Sequence, residues 1–189
     1  ITIPSGWIIS SLNTTFSSCI SLETLVLPNN AQNSCTTMNA MCNACTRLTS
    51  VTMPTSLNSV TSLASAFSTC SRLTSVTFPA TMNAVTSFAN GFIYCYSLKS
   101  VTLPTSMSSC TNFSQIFSTC FSLISLTLPA TVSASTTTFN SAFGTCTALQ
   151  TLTLPLTQTS SVTDIGNMIA NCSNLTTINN LNNIGSLTA

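Results

Sequence analysis

Charge is almost absent from this chain of 189 residues. Only 3% of the residues are charged, against roughly 25% in ordinary soluble domains, and the formal net charge is +1. A protein that binds nucleic acid needs clustered Lys and Arg to displace counterions from the phosphates. The three basic residues here are scattered along the chain, so the composition excludes nucleic acid as a partner.

Histidine is missing, and the only acidic residues are Glu23 and Asp164. General acid–base catalysis needs a proton carrier within hydrogen-bond reach of its target, and these two acids lie near opposite ends of the chain. A Ser or Cys nucleophile has no His to activate it, and the five glycines form no phosphate-binding loop. The sequence therefore predicts no enzyme activity, no catalytic residue and no cofactor.

Long hydrophobic runs are also missing. No apolar stretch approaches the ~20 residues that cross a bilayer, so no membrane insertion is expected. Apolar residues still make up 44% of the chain, which is enough to form a core and argues against disorder. Ile1 is not a natural start, and we expect the chain to be a mature or trimmed piece of a longer or polymerised protein.

What the sequence does contain is an internal repeat. Seven cysteines recur at spacings of 25 or 26 residues, and they are Cys19, Cys45, Cys70, Cys95, Cys120, Cys146 and Cys172. Leu follows each of them by three residues, and all seven prolines share one column of the repeat. A unit of this length cannot bury its apolar face alone, so the repeats must stack and share one core.

The stretch 66–79, "AFSTCSRLTSVTFP", shows what each unit should form. Leu63, Phe67 and Cys70 lie four and three residues apart, a spacing that predicts one face of a short helix. The alternation of Val76, Thr77 and Phe78 predicts a strand, which proline then ends because it has no amide hydrogen.

The joint pattern "AFxxCxxLxSVTLP" resembles the BspA-like leucine-rich repeats of bacterial and protist surface proteins. The resemblance implies an α/β solenoid that is curved, with a parallel β-sheet on one face and short helices on the other. Residues 1–189 should form a single solenoid of about seven repeats, with a cap or docking tail at residues 179–189. The resemblance also implies an extracellular location, or one on the surface of a cell or virion.

Ten cysteines in such a chain raise the question of disulfides or metal. All ten occupy apolar columns of the repeat, which favours buried free thiols, and helices packed side by side would lie too far apart, ~8–10 Å, for one column to bridge. Bridges between successive coils are the alternative. Cys42 and Cys45 form a CxxC, but only Cys35 is near it, and zinc prefers four ligands. No metal site is predicted.

The outward columns of the predicted sheet are the candidate binding face. They form a ladder of hydroxyl groups: Ser50, Thr52, Ser75, Thr77, Ser100, Thr102, Ser125, Thr127, Thr151 and Thr153. Thr is a good strand former, so a purely structural role also explains the ladder. Three functions remain open: a structural fibre, an adhesin that recognises a glycan or a protein, and an ice-binding surface.

The two ends of the solenoid are a candidate for self-assembly. The chain enters as "ITIP", with Ile1 and Ile3 predicted in buried columns and Thr2 in the outward one. At the other end Asn180 and Leu181 replace the apolar residue and the proline of the repeat. Because an open parallel edge exposes unpaired backbone groups, the first strand is predicted to be covered, either by another copy or by a part of a longer chain. End-to-end contact between copies would propagate as a filament.

Overall fold

The structure is a computed structural model that describes residues 1–29, 34–157 and 159–184. Nine short strands are present in this part of the chain. Their bounds are β1 Thr24–Val26, β2 Ser50–Thr52, β3 Ser75–Thr77, β4 Ser100–Thr102, β5 Ser106–Met107, β6 Ser125–Thr127, β7 Thr131–Val132, β8 Thr151–Thr153 and β9 Thr177–Asn179. A single 3-10 turn, Leu181–Asn183, follows β9.

Each coil of the solenoid is numbered here by its cysteine, from coil 1 at Cys19 to coil 7 at Cys172. The strand that follows each cysteine is β1, β2, β3, β4, β6, β8 and β9 in turn. Neighbouring strands are parallel, and each residue pairs with the equivalent residue of the next repeat, as Val76 does with Val101. The predicted solenoid with its parallel sheet is confirmed.

The strands form where the alternation predicted them. In β3 the side chain of Val76 is buried, whereas Ser75 and Thr77 on either side of it are exposed. Phe78 continues the alternation into the core and still donates its N–H to the carbonyl of Thr102 at 2.9 Å. Pro79 then ends the pairing because it has no amide hydrogen to give.

The predicted short helices are wrong. The segments that should be helical contain pairs of residues, four apart, with φ between 49° and 65°, which a right-handed helix does not allow. The pairs are Thr14 and Ser18, Ala40 and Ala44, Ser65 and Thr69, Asn90 and Tyr94, Gln115 and Thr119, Ser141 and Thr145, and Asn167 and Asn171. Each segment instead makes two successive turns, and we call residues 63–70 and their equivalents the turn segments.

Backbone hydrogen bonds between coils explain why turns replace helices. In a helix every N–H bonds within its own segment, whereas here alternate N–H groups bond to the next coil. In coil 3 the donors and acceptors are Leu63 to Ser87, Ser65 to Ala89, Phe67 to Gly91 and Thr69 to Ile93, at 2.7–3.0 Å. Two successive turns bury residues at spacings of four and three, as a helix does. The spacing of the apolar residues therefore does not distinguish a helix from a pair of turns.

The core lies between the sheet and the turn segments. Phe67, Phe92, Phe117 and Phe143 are fully buried and form a continuous stack. Ring centroids are 5.3 Å apart from Phe67 to Phe92, 5.2 Å from Phe92 to Phe117 and 6.3 Å from Phe117 to Phe143. Each ring therefore contributes its burial and its stacking to two coils at once.

The cysteine column runs beside this stack and is hydrogen-bonded. The Sγ of Cys95 donates to the carbonyl oxygen of Phe67 at 3.1 Å, and that oxygen also accepts the N–H of Cys70. The same thiol bond to the preceding coil recurs at Cys45, Cys70, Cys120, Cys146 and Cys172, at 2.9–3.2 Å. Cysteine suits the column because it is a small apolar residue that can donate to a buried carbonyl.

All ten cysteines, which lie within the described residues, are free. The predicted free thiols are confirmed, but the reason given for them was wrong. Because hydrogen-bonded coils repeat at about 4.8 Å, Cα atoms of one column lie close enough for a bridge. The prediction that all ten are buried also fails at two positions: Cys19 is exposed and Cys172 is half-buried, as both belong to end coils.

Candidate functional site

The structure brings most of the predicted hydroxyl ladder together on one side of the solenoid, which we call the sheet face. The side chains on β2, β3, β4 and β6 are exposed, whereas Thr151 and Thr153 on β8 are half-buried. The Nδ2 of Asn179 on β9 donates to Thr153 Oγ1 at 3.1 Å. The exposed part of the ladder therefore runs from Ser50 to Thr127.

The sheet face is interrupted at its centre. The strands form one sheet in the order β1-β2-β3-β4 and another in the order β6-β8-β9, with no ladder between β4 and β6. Elsewhere the residue before each strand donates its N–H to the preceding coil, as Lys99 does to Thr74 and Gln150 does to Ile124. Within the described residues, Ile124 makes no such bond to Lys99.

A cleft of about 440 Å³ includes the interruption and extends from coil 4 to coil 7. Its rim carries hydroxyl groups of Ser100, Thr102, Ser125 and Thr127. Its inner wall is apolar, and Val101 and Leu103, which belong to buried columns, are only half-buried there. The lining is Ser100, Val101, Thr102, Leu103, Pro104, Thr105, Ser125, Thr127, Leu128, Ala130, Thr153, Leu154, Leu156 and Asn180, and none of these side chains is charged.

An aromatic patch lies in coils 4 and 5, which also line the cleft, and it was not predicted as a surface. Tyr94, Tyr96 and Phe121 are 43%, 42% and 42% exposed. The rings of Tyr96 and Phe121 stack with centroids 5.2 Å apart and planes 11° apart. The signal in the sequence is the column after each cysteine, where these two aromatic residues interrupt a run of Thr and Ser.

The few charges do not form a site. Arg47 pairs with Glu23 across the first two coils, and both side chains are more than half exposed. Asp164 accepts hydrogen bonds from Asn140 Nδ2 and from the N–H of Gly166, both at 3.0 Å, and these bonds hold its pKa below the usual value. The structure thus keeps the two carboxylates in different coils.

The CxxC of Cys42 and Cys45 is an ordinary part of the core. Both side chains are fully buried, and Cys45 Sγ donates to the Phe16 carbonyl at 2.9 Å. Hydrogen bonding with Cys45 and burial raise the pKa of the Cys42 thiol. Among the described residues, no group of three His, Cys, Asp or Glu side chains could hold a metal ion.

The residues predicted for end-to-end contact lie at opposite ends of the solenoid. Thr2 bridges to Val26, and Ile3 is buried, but Ile1 is 58% exposed rather than buried. Ile1 donates its terminal amino group to the carbonyl of Thr24 at 2.7 Å, at the edge of the first coil. At the other end Asn180 has φ of 61° and its Nδ2 bonds to the Leu154 carbonyl, while Leu181 is 44% exposed.

The predicted tail at residues 179–189 is described only as far as Ile184, so residues 185–189 lie outside the described residues. No helix in the described part of the chain is long and apolar enough to cross a membrane.

The family model of the BspA type leucine rich repeat region matches residues 1–89 and 63–189, with six copies of the repeat. The chain belongs to this family. The predicted resemblance is therefore confirmed. No curated protein matches the chain.

Two solved structures share the fold of this family member. One is the T. pallidum leucine-rich repeat protein, with 21% identity and a TM-score of 0.52 over 96% of this chain and 69% of that one. The other is a leucine-rich cell surface protein from Faecalibacterium prausnitzii, with 22% identity and a TM-score of 0.52 over 94% of this chain and 58% of that one. At this level of identity the likeness establishes the fold alone.

Proposed function

We propose that the chain is a non-enzymatic binding segment of a cell-surface protein, and that its sheet face meets the partner. The observation that carries this proposal is the exposed, uncharged hydroxyl array, which is held in register by strand pairing from β2 to β4 and continues on β6 beyond the interruption. Stacked repeats create extended surfaces of this kind, and a rigid array needs little ordering when it binds. The family and the named cell-surface neighbour support the location.

The test is adhesion of beads coated with the chain to an array of glycans and extracellular-matrix proteins. Thr77→Glu with Thr102→Glu places two charges on the sheet face and should lower binding by about tenfold or more, because a desolvated charge without a partner is costly. Ser109→Glu with Ser135→Glu is the matched control, since both serines are exposed and lie outside the strands. Equal loss in both variants, or no binding by the parent chain, would contradict the proposal.

A second function, end-to-end assembly, is favoured by the surface at the first coil. Ile1, Trp7 and Ile8 are 58%, 63% and 77% exposed around a recess of about 440 Å³. Exposed apolar patches of this kind mark contact surfaces, and we propose that the last coil of another copy covers it. Sedimentation velocity should show concentration-dependent assembly that Ile8→Glu removes and Ile124→Glu, at another exposed isoleucine, does not. A monomer at all concentrations would contradict it.

A further inference from the structure

We propose that coils 4 and 5 form a binding site for a neutral saccharide, made of the cleft between β4 and β6 and the stacked pair Tyr96–Phe121. This inference rests on the proposed binding role of the sheet face and names the site and the class of ligand. Both features lie at the same boundary between coils. Phe121 precedes Ser125 by four residues, and Tyr96 precedes Ser100 by four, so the Cα atom of each aromatic residue lies within about 14 Å of the Cα atom of a serine on the cleft rim.

The cleft has the size and lining of a ligand site. Its volume of about 440 Å³ falls within the roughly 300–1,000 Å³ of small-molecule pockets, which combine apolar walls with a few polar groups. The hydroxyls of Thr102 and Thr127 have no hydrogen-bond partner within the described protein, whereas those of Thr86 and Thr111 bond to carbonyls of the preceding coil. The rim therefore keeps donors and acceptors available for a ligand rich in hydroxyls.

The aromatic pair supplies a stacking surface. Tyr96 and Phe121 cover only one face of each other, and the ring of Tyr94 packs against Tyr96 with centroids 6.3 Å apart, so the outer face of Phe121 is the open stacking surface. On the outer sides their column continues with small residues, Ser71 before Tyr96 and Thr147 after Phe121. An aromatic face carries a negative quadrupole, which attracts the C–H groups on the flat side of a pyranose ring, and the hydroxyls beside it can bond to the sugar's own.

A polypeptide strand fits this cleft poorly. A strand added between β4 and β6 would need about 9.5 Å between them, because paired strands lie 4.7–4.9 Å apart. The two strands still have Cα atoms within 8 Å of each other. The absence of charge in the lining also favours a neutral ligand. Lys99, beside Ser100, is exposed to solvent, so an ion pair between it and an acidic ligand would contribute little to binding.

The experiment is an NMR titration of the ¹⁵N-labelled chain with cellohexaose, chitohexaose and maltohexaose, each to about 10 mM, a range that detects weak binding. We expect at least one of these neutral saccharides to shift the amide signals of Tyr96, Ser100, Phe121 and Ser125. Tyr96→Ala with Phe121→Ala should weaken that binding about tenfold or more, and Thr127→Val should weaken it by a smaller factor. Ile20→Ala is the matched control, since Ile20 is exposed in the same column of coil 1, and it should bind as the parent does.

Three outcomes would overturn the inference: no shift with any of the three saccharides, shifts confined to other coils, or tighter binding of hexagalacturonate, an acidic saccharide of similar length. If the coated beads still adhere and the Thr77 and Thr102 variant abolishes adhesion, the proposed function survives this failure. Adhesion only to matrix proteins would identify a polypeptide partner instead. Circular dichroism melts of every variant establish that a loss of binding is not a loss of fold.

Discussion

On the turn side of the solenoid, hydrogen bonds join every coil to the next, whereas on the sheet side they stop between coil 4 and coil 5. Each boundary on the turn side has four backbone bonds, including Phe92 to Ile116 and Tyr94 to Ser118 between coils 4 and 5. The thiol of Cys120 adds a bond to the Phe92 carbonyl at the same boundary. The turn side, together with the pairing of β5 and β7, therefore holds coils 4 and 5 together where the sheet is open.

The comparison teaches that the residues with positive φ are structural necessities. A non-glycine residue with left-handed backbone costs roughly 1–2 kcal/mol, and each turn segment has two of them. This cost is offset because the turns direct alternate N–H and carbonyl groups toward the neighbouring coils, where they are paired. The cleft on the sheet side can then open without separating the coils.

The largest expected effect is alkaline unfolding caused by the buried thiols, which lie in the cysteine column and, at Cys110, in the column of Val60 and Val85. Burial raises the pKa of Cys95, Cys110 and Cys146 to about 12, against 9.0 for an ordinary thiol. The folded chain thus binds more protons than the unfolded chain between these values, and stability falls as the pH rises. Each thiol lowers the free energy of unfolding by about 1.4 kcal/mol per pH unit in this window.

Chemical denaturation at a series of alkaline pH values measures this slope. Cys110→Val should reduce it by the share of one thiol, and the substitution is mild because Val60 and Val85 occupy the same buried column. Cys19→Ser, at the exposed cysteine, is the control for the loss of a thiol outside the core. A parent chain equally stable at pH 9 and pH 12 would contradict the raised pKa of the buried thiols.

The next largest effect compares a core ring with a surface ring of the same coil. Phe117→Ala removes a fully buried side chain stacked between Phe92 and Phe143 and should cost about 3–5 kcal/mol. Phe121→Ala, at a ring that is 42% exposed, should cost much less. Similar melting temperatures for the two variants would refute the assignment of core and surface.

Much of this fold could be predicted from the sequence because the repeat fixes it. The strand bounds follow from the alternation around Val76 and the proline after it, and the buried column follows from the spacing of Phe67 and Cys70. Thr136 departs from the pattern: it is fully buried in the column of Val85 and Cys110, with Oγ1 2.9 Å from the Cys110 carbonyl. Because its hydroxyl group bonds to a backbone carbonyl, this threonine can occupy an apolar column of the repeat, although the sequence shows a polar residue there.

The candidate site could be predicted only in part. The hydroxyl columns are visible because Ser75 and Thr77 alternate with a buried residue. The cleft depends on hydrogen bonds that are absent between two strands of ordinary sequence, and no local pattern distinguishes Ile124 from Gln150 in that respect. Tyr96 and Phe121 form a pair only because coils 4 and 5 are stacked. Ice binding by the hydroxyl ladder stays a prediction, and a measurement of thermal hysteresis would test it. The ladder that would meet the ice is divided after β4, where the strand pairing stops.

The third prediction tests the open boundary directly. Gln150→Pro removes an N–H that donates to the Ile124 carbonyl at 2.8 Å, whereas Ile124→Pro, at the same position one coil earlier, removes an N–H without such a bond. Backbone strain is shared by the two variants, so Gln150→Pro should cost about 0.5–1.5 kcal/mol more. In the parent chain the amide of Ile124 should also exchange with deuterium faster than that of Gln150. Equal exchange would mean that β4 and β6 pair in solution.

The smallest expected effect concerns Asp164, which joins the last two coils on the turn side. Its carboxylate accepts bonds from Asn140 Nδ2 and the Gly166 N–H, and these bonds lower its pKa from 3.8. A lowered folded-state pKa stabilises the fold above the unfolded value, and this contribution is lost as the pH falls through the folded value. Asp164→Asn should therefore melt slightly below the parent at neutral pH and together with it in strong acid. In an Asn140→Ala background, which lacks the principal donor, the difference at neutral pH should shrink. A difference that persists in acid would show that Asp164 acts through packing rather than through its charge, since the protonated side chain and the amide differ little in shape.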